Sequence, residues 1–274
     1  DRRSLKYVTY VRDKRFTAQR QLMIVDILHD GSLSYINQYG RVETVYDQGS
    51  FDFSIAGSEG QLVFYPERYA VNDYWIANLS YNLDDNLLSA GSTVIGPSLI
   101  DNESVTLSGI GTTTVVGIAS TYRSAKVMVA INPDQEYNEY EYTQLNIVHN
   151  GDEVEVMEWG RMITTPDSWA TSGMGTFRGY IDGSNLKIDF IPNSDVGIGT
   201  TGVINTTVVA MGDSTSTGIG TVDLNHAKLQ CNTTGIAAAG SPGINTVAQF
   251  SSDYECAYCF IQVTDATNQA YQFS

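Results

Sequence analysis

His226, Cys231, Cys256 and Cys259 make, on paper, a set of four zinc ligands. Their context argues against that chemistry. The run Cys256-Ala-Tyr-Cys259-Phe-Ile has the composition of a strand, and strand residues three apart face opposite sides of a sheet. Both thiolates therefore cannot reach one ion. A zinc knuckle also wants a glycine-bearing turn after its second cysteine, where this chain has Phe260. The expectation is no metal site, with the cysteines either buried as free thiols or joined in one disulfide that includes Cys231. The other two histidines, His29 and His149, sit at matching places 120 residues apart. A catalytic base is rarely needed once per copy of a repeat, so both read as strand-end residues flanking a turn.

Carboxylates are more numerous. Glu139, Glu141, Glu153, Glu155 and Glu158 could supply the acid and nucleophile of a glycoside hydrolase. Every second residue of a half-exposed strand faces water, however, and acids fill such places freely, so nothing singles out a pair. No Gly-x-Ser-x-Gly elbow supports a nucleophilic serine. Trp159, Trp169 and Tyr180 could stack on sugar rings. Tyr39 and Trp159, at equivalent places before Gly-Arg, read better as aromatic plugs inside each repeat. The Gly-Arg pair itself suits a bulge, with the arginine over an aromatic face. Four Asn-x-Ser/Thr triplets, at Asn78, Asn102, Asn205 and Asn232, are near chance in so Ser- and Thr-rich a chain. No catalytic, cofactor-binding or metal residue is assigned, and the chain is not expected to be an enzyme.

The elements that would carry these residues are repeated. Arg3-Ser4-x-Lys6 recurs as Arg123-Ser124-x-Lys126, Ile27-x-His29-x-Gly31 as Ile147-x-His149-x-Gly151, and Gly40-Arg41-x-x-Thr44 as Gly160-Arg161-x-x-Thr164. The offset is 120 in all three pairs, which marks a tandem module. Gly-Ile-Gly-Thr stands at 109–112, 197–200 and 218–221. Alternation dominates: Glu153-Val154-Glu155-Val156 and Leu186-Lys187-Ile188-Asp189-Phe190 have period two. Lys126–Ile131 is nearly continuous and β-branched, as a strand covered on both faces would be. No apolar stripe keeps the helical period over three turns. His29-Asp30-Gly31 and His149-Asn150-Gly151 predict hairpins, with strands at Met23–Leu28 and Leu33–Tyr39, and at Gln144–Val148 and Glu153–Trp159. Asp-Gly and Asn-Gly suit the positive φ angles of type I′ turns. Asp182-Gly183-Ser184 predicts a further hairpin. Gly57-Ser58-Glu59-Gly60 is its counterpart, and Leu62–Pro66 matches Leu186–Pro192 at an offset of 126.

A third copy is predicted to start at Ala227-Lys228-Leu229, with Tyr258–Val263 as the counterpart of the Thr143–Val148 strand. The reading is an all-β chain of tandem antiparallel β-sandwich modules, immunoglobulin-like or related. A module at 1–95 lacks its N-terminal strand, a complete one spans 104–211, and a partial third spans 213–274. Sandwiches lacking strands expose backbone edges that invite pairing. Either the natural chain continues past both ends or neighbouring subunits complete the partial modules by strand addition. The chain starts on Asp, as a processed or truncated terminus would.

Composition narrows the functions. With 15 basic against 31 acidic residues the net charge is −16, which cannot furnish a broad nucleic-acid surface. Asp84-Asp85-Asn86 reads as a solvated loop and not a calcium site. No stretch approaches the roughly 18 apolar residues of a membrane span, and none has the form of a signal peptide.

The run Gly109-Ile-Gly-Thr-Thr-Thr-Val-Val-Gly-Ile-Ala-Ser, with Arg123-Ser-Ala-Lys, Glu141-Tyr-Thr-Gln-Leu-Asn-Ile-Val-His149, Glu155-Val-Met-Glu-Trp-Gly-Arg161 and Tyr180-Ile-Asp-Gly-Ser-Asn-Leu-Lys187, resembles the repeat module of large virion structural proteins of contractile-tailed marine cyanophages. The resemblance covers 104–211 best. It implies a β-rich, multi-copy part of a tail, fibre or other appendage, located in the virion or outside the cell. The partners implied are copies of itself and other virion or filament proteins. The alternative is an adhesion module that binds host surface glycans through exposed aromatics.

Overall fold

The computed structural model describes residues 2–16, 18–44, 46–57, 59–67, 74–84, 91–95, 98–107, 109–134, 139–164, 173–193, 202–212, 220–224, 227–231, 259, 261–265 and 270–273. Among them the chain is all-β, every pairing is antiparallel, and there is no helix. The first module joins β1 (Arg2–Asp13), β2 (Arg20–His29), β3 (Ser34–Glu43) and β6 (Tyr74–Asp84) in a sheet of order β3-β2-β1-β6. The hairpin of β4 (Gly49–Ala56) and β5 (Glu59–Pro66) covers one face of that sheet. The second module repeats the plan and adds to it. Its large sheet, β12-β11-β10-β15-β8-β7, contains β7 (Gly91–Ile95), β8 (Ser98–Thr106), β10 (Tyr122–Asn132), β11 (Glu141–His149), β12 (Val154–Ile163) and β15 (Val203–Gly212). The opposing sheet, β13-β14-β9, consists of β9 (Thr113–Ala119), β13 (Gly175–Asp182) and β14 (Asn185–Pro192). Strands β7 and β8 thus place residues 91–106 in the second module's sheet.

Alternation sets which side chains meet. Along β10, Ala125, Val127, Val129 and Ile131 point into the sandwich, against Val116, Leu186, Ile188 and Phe190 from the facing sheet. Fully burying a side chain of this size contributes about 1.5–3 kcal/mol. Lys126, Met128 and Ala130 point the other way and are buried too, so β10 is covered on both faces, as its composition predicts. In the first module Leu5, Val11, Met23, Val25, Ile27, Phe51 and Phe53 form the matching core.

The duplication is structural down to individual contacts. Phe51 and Phe64 stack with ring centroids 5.1 Å apart at 50°; Phe177 and Phe190, 126 residues later, do so at 5.3 Å and 47°. Gly49 and Gly175 both lie where a Cβ would collide with the second ring of their pair. Asp30 Oδ1 accepts from the Ser32 and Leu33 amides at 2.7 Å, and Asn150 Oδ1 from those of Asp152 and Glu153 at 2.9 Å. The hairpins are therefore present, but each loop has four residues held by this side chain instead of a two-residue type I′ turn. Gly31 and Gly151 take the positive φ and pack against Arg3 and Arg123. Gly40 (φ 62°) and Gly160 (φ 67°) mark equivalent register shifts, opposite Leu22–Ile24 and Tyr142–Gln144, which are the bulges expected at Gly-Arg. Among the described residues neither arginine lies over an aromatic ring. Arg41 pairs with Asp47, and Arg161 with Glu158 and Glu141.

Of the third copy, the strand expected from Ala227 is present, and the rest is described only in part. Strands β16 (Gly220–Leu224) and β17 (Ala227–Cys231) form a separate hairpin, as do β18 (Gln262–Asp265) and β19 (Ala270–Phe273). The strand anticipated over Tyr258–Val263 starts four residues later, at Gln262. Cys259 lies ahead of it as an exposed free thiol, not in a strand and not buried. Cys256, His226, Trp169, Asp85, Asn86 and Asn232 fall outside the described residues.

Candidate functional site

Where the two modules meet, the outward faces of their large sheets bury a polar cluster. Lys6 lies between Leu5 and Tyr7, which serve the first core, so its side chain leaves by the opposite face. There it pairs directly with Asp26 on β2. Lys6 Nζ donates to Asp26 Oδ1 at 3.2 Å, to Tyr39 Oη at 2.5 Å and to Gln144 Oε1 of the second module at 3.0 Å. Gln144 Nε2 donates to Asp26 Oδ2 at 2.6 Å and to Tyr39 Oη at 3.0 Å. The Tyr39 hydroxyl in turn donates to Asp26. All three ammonium protons are thus used, and the carboxylate is satisfied on both oxygens. Lys6 and Asp26 are 2% and 0% exposed. Burial pushes the lysine down and the aspartate up, and each shift is opposed by the partner's charge. Surrounding donors and acceptors answer each polar atom of the pair.

Aromatic rings close the cluster. Tyr39 meets Trp159 edge-on, with centroids 5.4 Å apart at 85°. Lys126 Nζ stands 4.0 Å from the Trp159 ring centroid, and Lys6 stands 5.8 Å from it on the other module's side. Burial, reinforced by the nearby Lys6 charge, lowers Lys126 to about 7. Tyr39 and Trp159 are therefore not plugs inside separate modules; they plug the seam between modules. Beside them Leu28 joins Met128, Ala130, Tyr140 and Tyr142 in an apolar patch. Tyr35 Oη donates to the Thr164 carbonyl at 2.8 Å, and Arg3 lies over Tyr140.

The contacts have a direction. Asp26 meets Gln144, the counterpart of Ile24, and Leu28 clusters with Tyr142, the counterpart of Leu22. Moving two residues up β2 moves two residues down β11, so equivalent strands cross the seam head against tail. The same face of each module is used. Sequence alternation identifies Lys6 and Lys126 as outward residues but carries no sign that their common partner is the other repeat. The one available signal is the apolar content of β10 on both faces.

A second buried group ties together the two sheets of the second sandwich. Glu141 Oε2 accepts from the Met174 amide at 2.6 Å, and Arg161 Nε lies 3.3 Å from Oε1. Arg161 also donates to Glu158 at 2.6 Å, and Thr143 Oγ1 donates to Glu158 at 3.0 Å. Burial raises Glu141 to about 7. Gln21 holds the equivalent place in the first module, accepting from the Gln48 amide at 2.7 Å and donating to the Gly49 carbonyl at 2.9 Å. Of the other acids considered for catalysis, Glu153 and Glu155 are exposed and Glu139 is half-buried. Asp101 and Glu103, one face of β8, are also raised by burial, and the sequence did not single them out.

His29 and His149 end β2 and β11 as expected. His29 stacks on Phe53, and His149 Nε2 lies 2.8 Å from the Tyr122 carbonyl. Tyr180, considered for sugar stacking, lies beneath Arg178 and donates to Asp189. Two of the Asn-x-Ser/Thr triplets interlock across strands: Ser104 bonds Asn205, and Thr207 Oγ1 donates to Asn102 Oδ1 at 2.8 Å. Among the described residues no group of three or more His, Cys, Asp or Glu could hold a metal ion. Compared with known proteins, the chain matches no family model, no curated protein and no solved structure.

Proposed function

We propose that this chain is a structural component of a phage virion or an extracellular filament, assembling through module packing and β-strand pairing between subunits. The observation that carries the reading is the rigid union of two repeats inside one chain, whose sandwiches are locked through equivalent faces by Lys6, Asp26, Tyr39 and Gln144. Removing one partner from such a buried pair costs about 3–5 kcal/mol, so the seam resists loosening and holds the two modules in one register. Rigid linkage of repeated units is what a spacer or appendage requires. The module motifs that resemble virion appendage proteins support the same placement. Strongly negative net charge keeps a repetitive β-protein soluble before assembly. The partners are copies of the chain and other proteins of the same assembly, and no residue is assigned to catalysis.

Sedimentation velocity over a concentration series, with electron microscopy of the same samples, tests the reading. Ordered fibres, rings or discrete oligomers are expected. A monodisperse monomer at millimolar concentration would overturn it.

A further inference from the structure

Charge is divided unevenly along the chain. Residues 1–68 hold nine basic and nine acidic side chains, and residues 69–274 hold six and 22, so the whole net charge of −16 falls in the second part. Within the first module the cations gather at one end. Arg12 and Arg20 stand directly opposite each other on β1 and β2, on the outward face. Lys14 and Arg15 follow in the β1–β2 turn and are exposed. Asp13 is buried there, with its Oδ1 turned to the Arg15 and Phe16 amides at 2.7 and 2.9 Å. Glu43, paired with Gln21, adds one exposed acid. Phe16, in the turn, is 51% exposed, and Val42, opposite Leu22 on the outward face, is 65% exposed.

The second module is charged the opposite way at its β11–β12 hairpin. Asp152, Glu153 and Glu155 are exposed there, and Met157, on the Glu155 face of β12, is 58% exposed. Arg123, packed on Gly151, offsets one of these acids. The fold needs neither cluster. Where the first module has Arg12, Lys14 and Arg20, the second has Asn132, Asp134 and Tyr140. Where the second has Asp152, Glu153 and Glu155, the first has Ser32, Leu33 and Tyr35. Like charges directly opposite one another destabilise a strand pair, so Arg12 against Arg20 is a cost that the second module avoids.

The seam decides where the two clusters lie. Arg3 over Tyr140, and Tyr35 on the Thr164 carbonyl, bring the β2–β3 hairpin of the first module to the β10–β11 turn of the second. Because equivalent strands run in opposite directions across the seam, the basic β1–β2 turn and the acidic β11–β12 hairpin both lie at the other end of the pair. Building on the assembly reading above, we propose that two copies of this chain meet end to end at this surface, the basic turn of each copy against the acidic hairpin of the other. A twofold axis makes both contacts at once, so the product is a closed dimer. Lys14 and Arg15 answer Glu153 and Glu155, and Phe16 and Val42 meet Met157. The charges steer the encounter and fix its register, while the apolar side chains supply the burial. Basic turn against basic turn would set cations against cations, which excludes the other alignment.

Sedimentation equilibrium of the full chain is expected to show a monomer–dimer equilibrium that tightens as salt falls from about 1 M to about 0.1 M, over which the Debye length grows from about 3 Å to about 10 Å. Lys14→Glu/Arg15→Glu and Glu153→Lys/Glu155→Lys should each weaken dimerisation by about tenfold or more. All four side chains are exposed, so both variants keep the fold, checked by circular dichroism and thermal melting. Mixed in equal amounts, the two variants should associate with each other as tightly as wild type does with itself, because each carries the charge that the other now needs. Dimerisation that neither variant weakens overturns the proposal and leaves the assembly reading intact. Variants that weaken it without recovery on mixing show that the clusters do not face each other, with the same consequence. A wild-type chain that stays monomeric at every salt concentration overturns the proposal and the assembly reading together; heparin binding lost in Lys14→Glu/Arg15→Glu would then identify the occupant of the turn as an anionic polysaccharide.

Discussion

Replacing Glu141 with Gln is expected to stabilise the second module at neutral pH. The carboxyl is fully buried, and burial raises it from 4.5 to about 7. At about 1.4 kcal/mol per tenfold change in proton affinity, ionising it in place costs about 3 kcal/mol more than in the unfolded chain. The sign follows from proton counting. Between pH 4.5 and about 7 the folded state holds a proton that the unfolded state has released, so wild-type stability falls as pH rises through that window and is flat above it. Glutamine keeps the acceptor for the Met174 amide. Its NH2 can take the role that the Gln21 amide plays toward Gly49, here toward Gly175. The attraction to Arg161 that it gives up is already contained in that raised value, and Arg161 retains Glu158 at 2.6 Å. The net gain at pH 8 is about 3 kcal/mol, or about 6–12 °C in melting temperature. It should shrink to nothing near pH 4. Paired urea denaturation series of wild type and Glu141→Gln at pH 4, 6 and 8 measure this. A variant less stable than wild type at pH 8, or a difference that does not change with pH, would refute the reasoning.

Two other perturbations probe the seam. Lys6→Met should cost about 3–5 kcal/mol by stranding the Asp26 carboxylate, and the double variant Lys6→Met/Asp26→Leu should cost much less than the sum of the single changes; additive urea-denaturation penalties would mean that the pair is not coupled. Lys126 is held near 7 against an ordinary 10.5, so the folded state binds fewer protons than the unfolded state across that window and wild-type stability climbs as pH rises through it. Lys126→Met removes that slope. It should exceed wild type by about 1–3 kcal/mol at pH 7, after subtracting the lost contact with Trp159, and converge with it by pH 10.5; a constant difference across that range would contradict the burial argument.

The fold was largely legible because its signals are local. Asp30-Gly31 and Asn150-Gly151 fix two hairpins, Gly40 and Gly160 two bulges, and alternating Leu186, Ile188 and Phe190 a core strand. The seam was not legible, because period-two alternation says which face a side chain takes and nothing about what covers it. Lys6 and Lys126 look like solvated lysines in any strand. Glu141 was grouped with surface acids for the same reason: in Glu141-Tyr142-Thr143-Gln144-Leu145 polar and apolar residues mix on both faces, which marks a doubly covered strand only in hindsight. Gln21 at the matching place, uncharged and flanked by the same pattern, was the available clue. Period-two alternation in Leu186-Lys187-Ile188-Asp189-Phe190 places Asp189 on the face opposite Ile188, yet it is buried beneath hydrogen bonds from Thr114 and Tyr180. Of the third copy only two hairpins, β16-β17 and β18-β19, lie among the described residues.

The seam's single aspartate also limits who can mate with whom. Since equivalent surfaces meet in reversed directions, the contact is self-saturating: once formed it offers no further copy of itself and cannot propagate. Two second modules brought together this way would set Lys126 against Lys126 with Asn146 where a counter-ion is needed, two ammonium groups enclosed without an anion. Two first modules would lose the bridging amide, because Ile24 replaces Gln144. The differences between the repeats at these few sites therefore make the contact one that favours unlike neighbours on the same polypeptide.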